Sequence, residues 1–174
     1  IASTVSANPT AGFSIVSCTG TGSQGTIAHN LGVAPSFVIM MNRDNSSSSP
    51  LAWHSALGLS HTTYPNWLYL NLTVLEQTSV NAANHLFYQV PDSSFLYFNT
   101  ATSELLNRSG EKVIAYCFAE VEGYSKFGSY TGNGLADGVF VYTGFRPSFI
   151  LQKRTNASAG WNIWDTARDV GNTA

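Results

Sequence analysis

Charged residues are scarce in this chain of 174 residues, of which Asp, Glu, Lys and Arg together make up 10%. Typical globular domains carry about a quarter. The net charge is −2, and no cluster of Lys and Arg occurs anywhere in the chain. A nucleic-acid-binding protein needs such a positive cluster to meet the phosphate backbone. We therefore expect no nucleic-acid partner.

Long apolar runs are also absent. No run reaches the ~18 residues that a membrane-spanning helix requires, so we expect no membrane insertion. No signal peptide is visible, and the first residue is Ile rather than Met. The chain is therefore expected to be a processed form or a piece of a longer protein.

Disulfide and metal-binding patterns are missing as well. The two cysteines, Cys18 and Cys117, are too few for a disulfide framework, and Cys117 lies in an apolar run that predicts a core thiol. The chain has no H-x-H, H-E-x-x-H or C-x-x-C pairing. Its histidines are scattered, at His29, His54, His61 and His85. We therefore expect no metal site and no cofactor.

An internal repeat is the strongest pattern that the chain contains. The segment TGTGSQGTIAHNLGVAPSFVI (19–39) returns as TGNGLADGVFVYTGFRPSFIL (131–151). Seven residues match at a single offset of 112: Thr19, Gly20, Gly22, Gly32, Pro35, Ser36 and Phe37 with Thr131, Gly132, Gly134, Gly144, Pro147, Ser148 and Phe149. One shared offset of this size indicates a duplicated folding unit rather than chance similarity.

Short runs rich in Val, Ile, Phe and Tyr, bounded by turn residues, predict strands along the whole chain. Helical periodicity is nearly absent, apart from one short turn at 73–80. The predicted strands cover residues 13–18, 25–29, 36–43, 51–56, 67–71, 85–90, 95–100, 112–121, 127–131, 138–143, 148–154 and 160–167. This pattern predicts an all-β fold, an antiparallel β-sandwich of the jelly-roll type.

The repeat also suggests how the chain is divided. Residues 1–11 are predicted to be an N-terminal extension, and residues 12–123 a complete β-sandwich repeat of about 112 residues. Residues 124–174 then form the start of a second repeat, which is under half a domain. An incomplete sandwich exposes strand edges, and such edges pair with other chains. We therefore expect self-association, with a trimer as one candidate assembly.

A family resemblance rests on the segment YCFAEVEGYSKFGSYTGNGLADGVFVYTGFRPSFILQKR (116–154) and on GFSIVSCTGTG (12–22). Both resemble a domain of unknown function that recurs in tandem in predicted virion proteins of bacteriophages, many of them marine. The resemblance covers nearly the whole chain after residue 12. It implies a structural or tail-fibre-like protein at the virion surface and implies no catalytic residue. Cys18 departs from the pattern, because such repeats usually carry Tyr at this place.

One candidate for hydrolytic chemistry is the run Trp53-His54-Ser55, with Asp44 or Asp92 as the acid that orients the histidine. The nucleophile pattern G-x-S-x-G is absent from the chain. In the repeat, AWHSAL corresponds to IWDTAR, so the second copy has Asp where the first has His. A catalytic base would not be exchanged in this way, and we expect a polar residue at a strand end instead.

A second candidate is the pair Glu120 and Glu122, which alternate on one face of a predicted strand. Glycosidases use paired carboxylates, but they usually place them on different strands across a cleft. Neighbouring exposed carboxylates on a sheet are the commoner case. We therefore predict that the protein is not an enzyme.

Aromatic residues beside polar ones form the more informative group. An apolar ring face can stack on a sugar while polar neighbours bind its hydroxyl groups. The alternative is that these rings fill the core of the sandwich, which large aromatic residues usually do. The candidate glycan contacts are Trp53, His54, Trp67, Tyr69, Trp161, Trp164 and Asp165.

Together these features predict a non-enzymatic structural protein of a phage virion. Its role would be assembly and host attachment as a fibre or surface module, in contact with other virion proteins and with a host surface glycan. One alternative is a carbohydrate-binding module of a secreted protein. Another is a glycan hydrolase of the tailspike type.

Overall fold

The computed structural model describes residues 1–60, 64–78, 86–100 and 106–167. His61 and His85 lie outside these residues. The strands are β1 (Ser3–Asn8), β2 (Phe13–Thr19), β3 (Gly25–Ala28), β4 (Phe37–Asn42), β5 (Leu51–His54), β6 (Leu59–Ser60), β7 (Tyr64–Pro65), β8 (Leu68–Tyr69), β9 (Phe87–Gln89), β10 (Phe95–Phe98), β11 (Lys112–Phe118), β12 (Phe149–Lys153) and β13 (Trp161–Asp165). A 3-10 turn, Pro9–Ala11, joins β1 to β2.

The predicted antiparallel β-sandwich is confirmed. One sheet has six strands in the order β1-β2-β11-β4-β5-β8, and the opposing sheet has three in the order β3-β10-β9. Every strand pair in both sheets is antiparallel. The main core cluster draws side chains from both sheets, among them Val16, Val38 and Trp53 from the first and Ile27 and Phe98 from the second.

Alternation along β11 explains why it lies at the centre of the larger sheet. Its residues Val113, Ala115 and Cys117 are buried in the core, while the residues between them turn to the opposite face. Val113 and Cys117 are fully buried, and burying a side chain of about this size contributes about 1.5–3 kcal/mol relative to leaving it exposed. A strand with apolar residues on both faces suits a central position, with neighbours at both edges.

The first strand was not expected from the sequence. β1 lies within residues 1–11, predicted to be an extension, and pairs with β2 over its whole length, from Ser3 opposite Cys18 to Asn8 opposite Phe13. Its residues STVSAN show no apolar alternation, because most of them are exposed at the sheet edge. The predicted extension therefore contributes the edge strand of the sandwich.

The hairpin β12–β13 forms a separate two-stranded sheet. It packs against the outer face of the six-stranded sheet, where Leu151 and Trp161 join a cluster formed by Phe37, Ala52 and Leu68. Backbone bonds fasten the hairpin loop to the chain after β8. The N–H of Ala159 donates to the carbonyl of Thr73 at 2.7 Å, and that of Glu76 to the carbonyl of Thr155 at 2.9 Å.

Three local predictions are corrected by the structure. Residues 127–131 and 138–143 were predicted to be strands, but neither segment forms one. The short helical turn predicted at 73–80 is absent from its described part, residues 73–78. The two failed strands carry the right residue types, so the cause lies in their missing neighbours.

Candidate functional site

Trp53 and Trp67, two of the candidate glycan contacts, are core residues. Their side chains are 3% and 5% exposed, and both belong to the main core cluster. The Trp53 ring meets Phe87 edge-on, with 6.2 Å between ring centroids. Neither ring has a face available to a sugar. The glycan prediction is therefore corrected at these two positions in favour of core packing.

Tyr69 and Trp161 are brought together although they are far apart in the sequence. The indole Nε1–H of Trp161 donates to the backbone carbonyl of Tyr69 at 2.8 Å. Tyr69 itself packs against the edge of the main core. This contact joins the second hairpin to β8, so both residues have an evident role in packing the hairpin onto the sandwich.

The hairpins β4–β5 and β12–β13 share one register. Phe37 pairs with His54 in the first hairpin, and Phe149 pairs with Asp165 in the second. A backbone hydrogen bond closes each hairpin at the same place. The N–H of Ser55 donates to the carbonyl of Ser36 at 2.9 Å, and the N–H of Thr166 donates to the carbonyl of Ser148 at 3.1 Å. The duplicated segment is therefore a duplicated hairpin, closed by the same backbone contact.

His54 and Asp165 make the same contact at the end of their hairpins. The Nδ1 of His54 accepts the N–H of Ala56 at 2.9 Å, and the Oδ1 of Asp165 accepts the N–H of Ala167 at 2.8 Å. Both side chains thus accept a hydrogen bond from the residue two positions on, as Asp and Asn do in turns. This shared role accounts for the exchange of His for Asp between the copies.

The surroundings of His54 do not resemble a catalytic triad. Burial lowers the pKa of His54, an effect that the nearby Glu120 carboxylate partly opposes. Asp44 accepts the N–H of Lys112 at 2.8 Å. Asp92 accepts the N–H groups of Ser94 and Phe95 and the hydroxyl of Tyr97. The two acids considered as partners of His54 therefore stabilise loops.

Glu120 forms an ion pair rather than half of a catalytic carboxylate pair. Its Oε2 accepts from the ammonium of Lys126 at 2.8 Å, and its Oε1 accepts the N–H of Phe127 at 3.0 Å. Partial burial raises the pKa of Glu120, but the contacts with Lys126 and Phe127 outweigh this effect and lower it overall. A general acid needs the opposite shift.

The cysteines are free and buried. Burial raises the pKa of the Cys18 thiol to about 11 and that of the Cys117 thiol to about 12. The described residues contain no group of three or more His, Cys, Asp or Glu side chains that could hold a metal ion. Within the same part of the chain, no helix is long and apolar enough to span a membrane.

The largest contrast in the molecule lies between equivalent residues of the two copies. Phe37 and Val38 are 7% and 0% exposed, whereas their counterparts Phe149 and Ile150 are 57% and 44% exposed. The other apolar side chains exposed in the second copy include Leu135, Val139, Phe140, Val141, Tyr142 and Ile163. We call the exposed apolar residues of 135–163 the uncovered surface.

Missing sheet neighbours explain the uncovered surface. In the first copy, β2 lies between β1 and β11, and β3 pairs with β10. The equivalent segments of the second copy are 127–131 and 138–143. β11 leads into the first of them but already has both edges occupied, by β2 and β4. The apolar residues of 135–142 therefore stay exposed without forming a strand. Those of β12 and β13 are exposed in a hairpin that pairs with no third strand among the described residues.

Individual residues of the uncovered surface were not predicted to be functional. Phe149, Ile150 and Val139 read as ordinary strand residues, and nothing in their local sequence marks them as exposed. The repeat matches them to Phe37, Val38 and Ile27 of the first copy. Only the structure shows that the exposure of the two sets differs.

A family model with the description "Domain of unknown function (DUF7483)" matches residues 1–174 of the chain. No curated protein matches the chain. No solved structure matches it either. Because the match extends over the whole sequence, the chain belongs to the family described as Domain of unknown function (DUF7483).

Proposed function

We propose that the protein is a non-enzymatic module of a bacteriophage virion surface or fibre, which works by assembling with copies of itself and with other virion proteins. The observation that carries this proposal is the uncovered surface. Phe149 and Ile150 are exposed where the equivalent Phe37 and Val38 are buried. An apolar surface of this kind marks a site of protein association.

The repeat and the low charge support the same function. Duplication of a folding unit produces length and several binding surfaces more readily than it produces catalysis. With charged residues at 10% of the chain, contacts between copies depend on apolar burial and strand pairing rather than on screened charges. The resemblance of residues 116–154 to phage virion domains supplies the location at the virion surface.

Attachment to a host surface glycan forms the second part of the proposal. The residues that would contact the glycan differ from those that the sequence suggested. Trp53 and Trp67 are buried, so the alternative of a Trp-lined carbohydrate-binding module has little support. Phe140, Tyr142 and Phe149 are exposed rings of the uncovered surface, and Phe140 and Tyr142 are the more exposed. Glycan hydrolysis has less support still, because Glu120 is held in an ion pair with Lys126.

The test is the mass of the native chain in solution, measured by light scattering at several concentrations. We expect a closed assembly, a trimer or larger, that persists on dilution. A monomer at every concentration would contradict the assembly function, because the uncovered surface would then have no partner in a second copy.

A further inference from the structure

β1 and β12 each have one edge without a strand partner among the described residues, as do the other end strands of the sheets. β1 pairs only with β2, and β12 pairs only with β13. The outer edges of both strands make no backbone hydrogen bond to any other described segment. Unpaired edges of this kind are ready-made templates for adding a strand from another chain.

The first copy shows which kind of strand can pair with the outer edge of β12. β4, the counterpart of β12, lies between β5 and β11. Since β13 occupies the place of β5 in the second hairpin, the free edge of β12 is the one that β11 occupies on β4. A strand similar to β11 therefore fits this edge.

β1 is the described strand that corresponds to β11. The repeat offset of 112 places β1, residues 3–8, against residues 115–120, and the first four of these belong to β11. The two strands also lie on opposite edges of β2, where Val5 and Ala115 both pair with Val16. β11 has both edges occupied, whereas β1 has one edge free.

The repeat supplies a register for pairing β1 with β12. Cys117 of β11 pairs with Val38 of β4. By the repeat offset of 112 residues, the position equivalent to Cys117 in the first copy is Val5, and the position equivalent to Val38 in the second copy is Ile150. Both are apolar, and Val5 already packs at the edge of the core. Ile150, which is 44% exposed, would gain an apolar neighbour.

We propose that β1 of one copy adds in antiparallel fashion to the outer edge of β12 of a second copy, with Val5 opposite Ile150. The order β12-β1-β2 across the two copies would then repeat the order β4-β11-β2 within one copy. The inference rests on the proposed self-association and specifies the surfaces that meet.

The contact is head to tail, because the donating and accepting edges are different. Each copy keeps its other edge free after pairing, so the assembly grows into a closed ring or an open fibre. Lys153 is the only charged residue of the two strands, so no like charges oppose each other. One contact must give way: Gln152 donates a side-chain hydrogen bond to the Tyr130 hydroxyl, and in this register Ser3 takes a place beside Gln152.

Disulfide trapping between copies tests the register. Val5→Cys and Ile150→Cys are prepared as separate proteins and mixed under mild oxidation. We expect a covalent dimer in the mixture and none in either protein alone, because the contact is heterologous. Wild-type protein, whose two cysteines are buried, is the blank. A mixture of Val5→Cys with Val33→Cys is the control, since Val33 is also exposed (52%) but lies outside both strands and outside the uncovered surface.

A charge substitution tests the same contact without cross-linking. Ile150→Lys should weaken association about tenfold or more, because it places a charge in the centre of the apolar contact. Val33→Lys is the control and should leave association within about twofold of wild type, because Val33 is an exposed apolar residue (52%) outside both strands and outside the uncovered surface. Circular dichroism establishes that both variants keep the β fold.

The outcomes separate this proposal from the proposed function. An assembly that resists Ile150→Lys and gives no cross-link between Val5→Cys and Ile150→Cys would overturn the strand pairing and leave self-association standing. A monomeric wild-type protein would overturn both. Equal cross-linking through Val33→Cys would overturn the register.

Discussion

At the residue scale, the position shared by His54 and Asp165 shows what the duplicated hairpin requires. A ring nitrogen and a carboxylate oxygen accept the same backbone N–H, from Ala56 and Ala167. The requirement is an acceptor of the right reach, and any residue that supplies one can stand there. Sequence comparison revealed the exchange, but the shared bond could be found only in three dimensions.

The lowered pKa of His54 predicts how stability changes with pH. The neutral ring is favoured in the folded state, so the unfolded state binds a proton first, near the usual pKa of 6.5. The stability that the neutral His54 ring contributes is therefore fully present above pH 6.5. It is lost as the pH falls toward the pKa of His54 in the folded state. His54→Asn keeps a turn acceptor and cannot titrate. Urea unfolding at about pH 7 and about pH 5.5 should show a smaller loss of stability in the variant.

The remaining loss in that variant is expected from His29, whose pKa burial also lowers. His54→Ala is the control for the acceptor, because it leaves the N–H of Ala56 without its partner. Relative to His54→Asn, it should cost about 0.5–1.5 kcal/mol at both pH values. An unchanged pH dependence in His54→Asn would contradict the assignment.

Gly12 and Gly123 offer a second matched pair at this scale. Both have positive φ, but a Cβ at Gly12 would lie 2.6 Å from the carbonyl oxygen of Ala119, whereas a Cβ at Gly123 would meet nothing within 4 Å. Gly123→Ala should cost about 1–2 kcal/mol, the price of a left-handed backbone. Gly12→Ala should cost about 1–3 kcal/mol more through overpacking. Urea unfolding followed by tryptophan fluorescence measures both, and equal costs would contradict the close approach.

At the element scale, strand prediction succeeded where the fold supplies a partner and failed where it does not. The run at 112–121 became β11, with neighbours at both edges. The run at 138–143 is also apolar, but no strand lies beside it in the part of the chain that the structure describes. β1 was missed for the opposite reason, since its polar residues give no pattern and its pairing with β2 alone makes it a strand. Whether a strand has a neighbour to pair with depends on the whole fold, so the local sequence of a segment does not predict it.

The candidate glycan contacts also depend on the whole fold rather than on the local sequence. The repeat was visible in the sequence, and large aromatic residues are known to favour cores. Which Trp residues are buried depends on the face of each strand, and Trp53 and Trp161 could be distinguished only once the sheets were known.

The docking of the second hairpin gives the element-scale prediction. Trp161→Phe keeps a ring in the contact but removes the N–H that bonds to Tyr69. Amide exchange in β12 and β13 should become about tenfold faster, which corresponds to the loss of about one hydrogen bond. Exchange in β2 and β11 should not change, because the sandwich core does not contain Trp161.

Trp164→Phe is the control for this prediction. Trp164 pairs with Ile150 and does not belong to the cluster that holds Leu151 and Trp161. It should leave hairpin exchange unchanged. Faster exchange throughout the sandwich in Trp161→Phe would contradict local docking.

At the scale of the whole molecule, the two free thiols report on cooperative unfolding. Cys18 and Cys117 are buried in the same core, with pKa values raised to about 11 and about 12. Since only the thiolate reacts, a disulfide reagent should label neither thiol in the native protein and both in concentrated guanidinium. Labelling of one thiol under native conditions would show that part of the sandwich opens alone.

The place of β11 between β2 and β4 has a consequence for synthesis. The strand that joins the two halves of the larger sheet is the last strand of the sandwich to leave the ribosome. At about 5–20 residues per second, the nascent chain waits roughly 4–15 seconds between completing β4 and completing β11. During that time β2 and β4 have no shared neighbour, and apolar residues of the future core are exposed. Slow translation or low temperature prolongs this interval, and with it the time during which these edges and core residues are exposed to other chains.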